Sequence, residues 1–459
     1  MTALPRTETD SQERKNHSFR ALLRNEAFRR LWLAQLISQT AHNGIHYVEL
    51  LMIARLTNST GHVGIMILAF TLPAVLFSAI AGVLVDRLPK RRILVSSNVA
   101  RIITALSYII ALKLFSGQLL LFWVYGVTFL ASAIAQFFAP AEGAMIPLLV
   151  ERRRLITANS LFNLTITGTQ VLGLLVLFPF VIKIGDRWLG KGNGIEFSFA
   201  LVAIMYTIAS YLLSKLPPDP EQPTTAQSKE VPVSQGAIRR TLDELREGWR
   251  FMLNTPTLWV PIVNLSVTAT VAMILAMMAP QFATEILRVS QEDAIYIFAP
   301  VGVGMLLGTF SIPRFSHLFQ REQISNTGLL LQGVVLFFMG SISAIWGGST
   351  AMTLGTMGLT FALGIGFAMI GIPAQTMLQE RTVAAVRGRV FSVQFLLANL
   401  LSIPPLLSAG TLADRVGIPP VMIIASLTLF LLAGWSIFWA ARHPAQPLSL
   451  DEMAELHED

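Results

Sequence analysis

The chain has 459 residues, of which 53% are hydrophobic and 13% charged, and its formal net charge is +7. Soluble domains carry about 25% charged residues, so this composition excludes an ordinary water-soluble protein of the same length. The chain has no cysteine, which excludes a disulfide framework and thiolate metal sites. The composition therefore predicts an all-α membrane protein.

Apolar runs near the length of about 20 residues that a spanning helix needs recur along the whole chain. They predict twelve transmembrane helices in two six-helix halves, at residues 31–56, 62–86, 93–115, 118–148, 158–185, 193–215, 257–286, 290–312, 325–346, 350–378, 386–412 and 418–441. Lysine and arginine concentrate in alternate connecting segments. This asymmetry predicts a multi-pass protein of the cell (inner) membrane with both termini in the cytoplasm.

These spans divide the chain into five parts. We expect a cytoplasmic tail at 1–30, a six-helix half at 31–216, a linker region at 217–256, a second six-helix half at 257–442 and a tail at 443–459. The first 30 residues are polar and basic, without the apolar segment of a cleavable signal. The net positive charge is accounted for by the connecting segments, so it does not indicate nucleic-acid binding.

The first span carries an unusual polar stripe. Polar residues follow one another at intervals of 4, 3, 4 and 3, at Gln35, Gln39, His42, His46 and Glu49. On a helix they occupy a stripe about 80° wide, and polar groups at membrane depth face a cavity or each other. Because histidine protonates near neutral pH, the stripe is a candidate for substrate contact and proton coupling.

Three other interpretations of the stripe stay open. An i, i+4 histidine pair such as His42 and His46, with Glu49, has the spacing of a metal site, although no further ligand cluster is visible. Glu49 also lies near one end of the span, where it would be merely interfacial. The same residues would equally form a structural hydrogen-bond network.

The loop after the second span reads AGVLVDRLPKRRIL, at residues 81–94. This segment resembles the major facilitator superfamily, whose signature G-x-L-x-D-R-x-x-x-[RK]-[RK] is matched here by Gly82, Leu84, Asp86, Arg87, Lys90, Arg91 and Arg92. In that family the carboxylate meets the start of the eleventh helix in the outward-open state. The resemblance therefore implies a gate in which Asp86 faces Arg387 and Arg389, and a basic loop that only sets topology is the alternative.

The resemblance extends over most of the chain. Segments 28–45, 140–161, 242–258 and 386–393 are similar to the branch of enterobactin and macrolide exporters, of the transmembrane secretion effector type. This implies a monomeric secondary transporter, not an enzyme, that exports a small drug-like or siderophore-like amphiphile by proton-coupled alternating access. Its partners would be that substrate, protons and the bilayer, without cofactor, metal or nucleic acid. The branch usually has an aspartate beside His42, which is absent here, so Glu49 or a histidine would take over its charge.

Further polar residues inside later spans are candidates as well. Glu142, near the end of the fourth span, is expected to pair with Arg87 or Arg91 in the gate, with a substrate or proton site and an interfacial position as alternatives. Additional cavity candidates are Gln136, Asn264, Thr268 and Thr356. For each of these, a hydrogen bond between helices is the simpler interpretation.

The linker region has two parts. The Pro-rich stretch at 217–236 cannot bury a core, so we expect a flexible linker. Residues 238–256 place Leu242, Leu245, Trp249 and Met252 on one face, which predicts an amphipathic helix lying at the membrane interface.

Two other functions remain possible from the sequence. A lysophospholipid or other lipid flippase would use the same fold, and a non-transporting sensor or a membrane enzyme is a more remote alternative. The chain has no P-loop lysine motif, which argues against drive by ATP.

Overall fold

The computed structural model describes residues 22–151, 154–190, 192–218, 235–291, 294–315, 318–343, 349–382 and 386–443. Within these ranges every regular element is helical. The α-helices are α1 (Glu26–Thr57), α2 (Thr60–Arg87), α3 (Lys90–Leu114), α4 (Gly117–Leu149), α5 (Leu155–Gln170), α6 (Phe178–Trp188), α7 (Asn193–Ser214), α8 (Gln235–Asn254), α9 (Trp259–Gln281), α10 (Ala294–Phe298), α11 (Pro300–Phe315), α12 (Arg321–Ser343), α13 (Thr350–Glu380), α14 (Arg387–Val416) and α15 (Ile418–Arg442).

The all-α membrane fold is confirmed. In the described ranges, eleven helical segments are long and apolar enough to cross a membrane. Helix α1 supplies the twelfth span. Its 32 residues extend about 48 Å at 1.5 Å per residue, which is long enough to cross a membrane. It is not among the eleven apolar segments because its polar stripe lowers its hydropathy.

The fifth span is interrupted by a π-helical segment, Val171–Leu177, between α5 and α6. This segment lies against the middle of α1. A Cβ atom added at Gly173 would lie 2.7 Å from the Thr40 carbonyl oxygen, and one at Gly44 would collide with the ring of Phe178. Glycine at both positions therefore lets the two spans approach each other closely, which fixes the position of the polar stripe.

The chain forms two compact units. One contains helices α1 to α7 together with Met277–Thr284 and Val289–Tyr296, and the other contains Leu242–Ala276, Glu285–Arg288 and the chain from Ile297 onward. The first unit has a hydrophobic core at the end of the bundle where α1 begins, around Phe28 and Phe138. In the second unit, α11 and α13 meet through Gly304 and Gly364, whose added Cβ atoms would lie 2.0 Å from backbone oxygens of the other helix.

Helix α8 occupies the stretch where the linker helix is predicted, and its apolar face packs against other helices. Met252 is fully buried in a core cluster with Leu378, Val390 and Val393, and Leu245 packs against that cluster. The apolar face is thus covered at Met252 by the ends of α13 and α14, because these helices present apolar side chains there. Trp249 is partly exposed, and the side chain of Leu242 lies outside the described residues. Residues 219–234 of the Pro-rich stretch also lie outside them.

A buried charged cluster as the candidate functional site

The carboxylate of Glu49 lies at the centre of a polar cluster inside the first unit. Its side chain is 1% exposed. The Tyr108 hydroxyl donates to Glu49 Oε1 at 2.7 Å and is also 2.7 Å from the Thr128 hydroxyl, which lies 3.3 Å from the same carboxylate oxygen. Helices α1, α3 and α4 therefore meet at this carboxylate, which is not exposed on the surface of the bundle.

His46 contacts the second oxygen of the Glu49 carboxylate. Its Nδ1 atom lies 3.0 Å from Glu49 Oε2, and its side chain is 22% exposed. The ring of His42, one turn earlier, stands edge-on to the ring of His46 with centroids 4.6 Å apart. Within the described residues no group of three metal-binding side chains is arranged to hold an ion. The histidines and Glu49 thus form a short chain of titratable groups along α1.

Arg101 on α3 brings a positive charge into the same region. Its side chain is 5% exposed, and its guanidinium carbon lies 4.6 Å from the ring centroid of Phe138 and 5.6 Å from that of Tyr206. Aromatic faces stabilise a cation electrostatically, especially where water is absent. No acceptor among the described residues reaches Arg101 Nε. Arg101 is therefore held by aromatic faces with hydrogen-bonding capacity left over.

Glu142 on α4 is buried within reach of this cation. The two side chains interact electrostatically, and no donor in the described part of the chain reaches Glu142 Oε1. The expected pairing with Arg87 or Arg91 stays a prediction. The Arg91 guanidinium donates to the Ser214 carbonyl oxygen at the end of α7, and the side chain of Arg87 lies outside the described residues.

These groups surround a small cavity of about 10 Å³, roughly the room that one water molecule occupies. Its lining combines the charged and titratable side chains with small or apolar ones, namely His42, Ile45, His46, Glu49, Arg101, Thr104, Ala131, Ser132 and Tyr206. All of them belong to the first unit. The arrangement can hold a proton at several neighbouring positions, and it can offer either a carboxylate or a guanidinium to a polar ligand.

The predicted gate is described only in part. The surroundings of Gly82 and the side chains of Asp86, Arg87 and Arg387 lie outside what the structure describes. Lys90 stands at the first position of α3. Arg389 forms an ion pair with Glu247 of α8, with Arg389 Nη1 2.5 Å from Glu247 Oε1. The gate therefore stays a prediction, and Arg389 has a partner on the linker helix that the motif does not contain.

The remaining predicted residues lie apart from the cluster. Gln35 is 1% exposed, and neither of its side-chain polar atoms has a hydrogen-bond partner among the described residues; Gln39 is half-buried on the same helix. Gln136 donates to the Ser132 carbonyl oxygen of its own helix. Asn264 donates to the Ser325 hydroxyl across two helices, and Thr268 donates to the Asn264 carbonyl oxygen. The first of these bonds joins two helices and the second lies within α9, and Thr356 is buried in α13.

Four cluster residues were missed by the sequence interpretation, although a signal for three of them was present. Arg101, Thr104 and Tyr108 follow a 3, 4 spacing within the third span, and Arg101 is a lone charge among apolar residues there. A charge inside a span marks a functional site by default. Tyr206 had no such signal, because a single tyrosine in an apolar helix has the pattern of ordinary packing.

The sequence profile of the Major Facilitator Superfamily matches residues 31–405. The enterobactin exporter EntS of Shigella boydii is 25% identical over 79% of this chain and 80% of its own length. The multidrug efflux pump Tap of Mycolicibacterium fortuitum is 25% identical over 87% of this chain and 92% of its own length. The crystal structure of the nucleoside transporter NupG superposes with a TM-score of 0.66 at 13% identity, covering 90% of this chain and 98% of NupG.

The profile spans most of the chain, the relatives align over most of both lengths, and the solved structure shares the fold. The expected family and the absence of an enzymatic role are thereby confirmed, and the chain belongs to the Major Facilitator Superfamily of membrane transporters.

Proposed function

We propose that this transporter exports a small amphiphile, of a drug-like or siderophore-like kind, in exchange for protons. The observation that carries the proposal is the Glu49 carboxylate, buried at the junction of α1, α3 and α4 with His46 on one oxygen and Tyr108 on the other. Two of its relatives, EntS and Tap, are named as an enterobactin exporter and a multidrug efflux pump.

Proton binding at Glu49 changes every contact around it. An ionised carboxylate accepts hydrogen bonds on both oxygens, and such charge-assisted bonds are about twice as strong as neutral ones. A proton on Glu49 weakens the bonds from Tyr108 and Thr128 and removes the attraction to a charged His46. The three helices then lose a shared anchor, which gives the cluster two states with different packing.

Arg101 gives the same site a means to exchange substrate for proton. Its guanidinium has a carboxylate, Glu142, within electrostatic range and free donor capacity at Nε. An anionic group on a substrate would use that capacity, and a cationic group would use the carboxylates. Because the cavity of about 10 Å³ holds no more than about one water molecule, substrate binding requires the helices to separate, as alternating access does.

The decisive experiment measures transport by the purified protein in vesicles with an imposed pH gradient, using a panel of amphiphiles. We expect uptake or release of at least one amphiphile to follow the gradient, and the double variant His42→Ala/His46→Ala to lose that pH dependence. Transport that does not depend on the pH gradient would contradict the proposed exchange for protons. The matched control is His62→Ala on α2, whose ring bonds to Tyr125 away from the cluster.

The same vesicles separate the alternative function. A lipid or lysolipid flippase would move a fluorescent lysolipid between leaflets and would leave soluble amphiphiles untouched. We expect the opposite pattern, because the cluster has several charges around a small polar cavity.

We further propose that both termini lie in the cytoplasm of the cell (inner) membrane and that the protein works as a monomer. The chain contains no cysteine, so single cysteines can be introduced and labelled without background. Arg92→Cys should react only from the cytoplasmic side and Lys113→Cys only from the outer side. Reversed labelling would overturn the topology, and a dimer by light scattering would overturn the monomer.

A further inference from the structure

The second unit contains a large cavity that the transport proposal does not use. Its volume is about 660 Å³, and it lies where α12 begins and α15 ends. Its polar lining includes Glu322, Gln323 and Arg381 among other polar side chains, and Trp439 and His443 close it on the α15 side. Ligand pockets for drug-sized molecules occupy about 300–1,000 Å³, so the cavity has the size of a binding site.

The charges on its wall are balanced. The guanidinium of Arg381 pairs with the carboxylate of Glu322 and also donates to the Thr257 carbonyl oxygen at 2.8 Å. His443 is the remaining titratable group of the lining, and it stacks on the Trp439 ring with centroids 4.4 Å apart. A wall with one carboxylate beside one guanidinium is complementary to a ligand that carries both charges, because each end of a zwitterion finds an opposite charge.

The cavity continues into apolar surface. Leu330 and Ile437 line it and are 40% and 51% exposed. Farther along the same two helices the exposed side chains are apolar as well: Val334, Phe337 and Phe338 on α12, and Leu427, Leu431 and Phe438 on α15. Tryptophan is enriched where a membrane meets water, and Trp435 and Trp439 stack on each other at this level. A molecule in the cavity is therefore offered polar contacts at one end and a lipid-facing apolar surface at the other.

We propose that this cavity binds a zwitterionic phospholipid with a primary ammonium group, of the phosphatidylethanolamine type. The ammonium lies against Glu322, the phosphate lies against Arg381, and the acyl chains follow the exposed faces of α12 and α15. A primary ammonium has three N–H donors for a carboxylate, whereas the trimethylammonium of phosphatidylcholine has none. An anionic headgroup leaves Glu322 facing a like charge.

The test measures the unfolding temperature of the full-length protein in detergent with added dioctanoyl phosphatidylethanolamine, phosphatidylcholine or phosphatidylglycerol. Phosphatidylethanolamine should raise the unfolding temperature by about 3 °C more than the other two, since a ligand that binds only the folded state stabilises it. Equal stabilisation by all three lipids would overturn the proposal. Free phosphoethanolamine should have no effect, and an equal effect from it would show that the apolar surface plays no part.

The chain supplies a matched pair of variants. Glu322→Gln should abolish the preference for phosphatidylethanolamine. Glu380→Gln removes the neighbouring ion pair with Arg321, which does not line the cavity, and should retain the preference. Ala440→Trp fills the cavity while leaving the Glu322–Arg381 pair intact, so it should remove the lipid effect even if Glu322→Gln folds poorly. A preference that survives both Glu322→Gln and Ala440→Trp contradicts the site.

Discussion

The two halves of the chain treat buried polar groups differently. In the first unit, Glu49, Arg101 and Glu142 place charge among packed helices. In the second unit, the described buried contacts between spans are neutral, such as Asn264 with Ser325 and Asn326 with Ser436. Its ion pairs lie at helix ends, as in Arg381–Glu322 and Arg389–Glu247.

We expect this difference to distinguish the unit that carries the coupling chemistry from the unit that mainly stabilises the fold. A buried charge costs several kcal/mol to desolvate, so it persists where a change of protonation or partner is used. Neutral hydrogen bonds between helices fix register without such a cost. We therefore expect substitutions in the first unit to change coupling, and comparable substitutions in the second unit to change stability alone.

The largest effect should come from Glu49→Gln. Glutamine keeps the shape but removes the charge that Tyr108 and His46 bind. A positioned proton-transfer group contributes about a hundredfold or more to a rate, so pH-driven transport in vesicles should fall by about a hundredfold. Glu196→Gln, at a helix end beside Lys113, is the control and should retain transport. Unchanged pH-driven transport in Glu49→Gln would contradict the assignment of coupling to the first unit.

Arg101→Gln should have the second-largest effect, and it should lower both the stability of the protein and its coupled transport. It leaves Glu142 buried without its cation, which should cost about 3 kcal/mol and lower the unfolding temperature. Adding Glu142→Gln removes the stranded charge and should recover most of that loss without recovering coupled transport. Thermal unfolding and vesicle transport of both variants check this. If the double variant is less stable than Arg101→Gln, the two residues do not act as a pair.

Met252→Ala tests the docking of the linker helix on the second unit. Met252 is fully buried among Leu378, Val390 and Val393, so truncation should cost about 2 kcal/mol of unfolding free energy. The adjacent Leu253 is 52% exposed, and Leu253→Ala should cost little. Equal losses in thermal unfolding would mean that α8 is not anchored through this face.

Asn264→Ala should have the smallest effect. It removes one neutral bond to Ser325, for which about 1 kcal/mol is expected within a membrane bundle. The pH dependence of transport should be unchanged. A shift in that dependence would place coupling in the second unit too, which would blur the distinction between the halves.

Much of the fold could be predicted from the sequence. Spanning helices satisfy their own backbone hydrogen bonds and must be apolar over a set length, so the twelve runs mark the observed helices to within a few residues. The linker helix was predicted as well. The helices that pack against its apolar face were not predicted, because an amphipathic pattern indicates that a face is apolar but not which residues contact it.

The site was predictable only where one helix contains it. The 4, 3, 4, 3 spacing on α1 identified His42, His46 and Glu49, and the structure brings these three together. Their partners Tyr108, Thr128 and Arg101 come from other spans, and the meeting of three helices at one carboxylate depends on tertiary packing. Gln35 and Gln39 share the stripe but lie beyond the cavity, since the stripe is longer than the cluster that it faces.

The polar character of α1 has a consequence for biosynthesis. This helix emerges from the ribosome before the other described spans, and alone among them it lacks an apolar window of spanning quality. A carboxylate at the centre of a spanning helix costs about 3 kcal/mol on insertion scales, and Glu49 adds part of that cost to the polar stripe, so α1 partitions poorly into lipid by itself. Tyr108 and Thr128, which neutralise that cost, are synthesised about 60 and 80 residues later. Insertion of the first helix is thus expected to be completed by its successors, with α1 retained at the insertion machinery until α3 and α4 arrive.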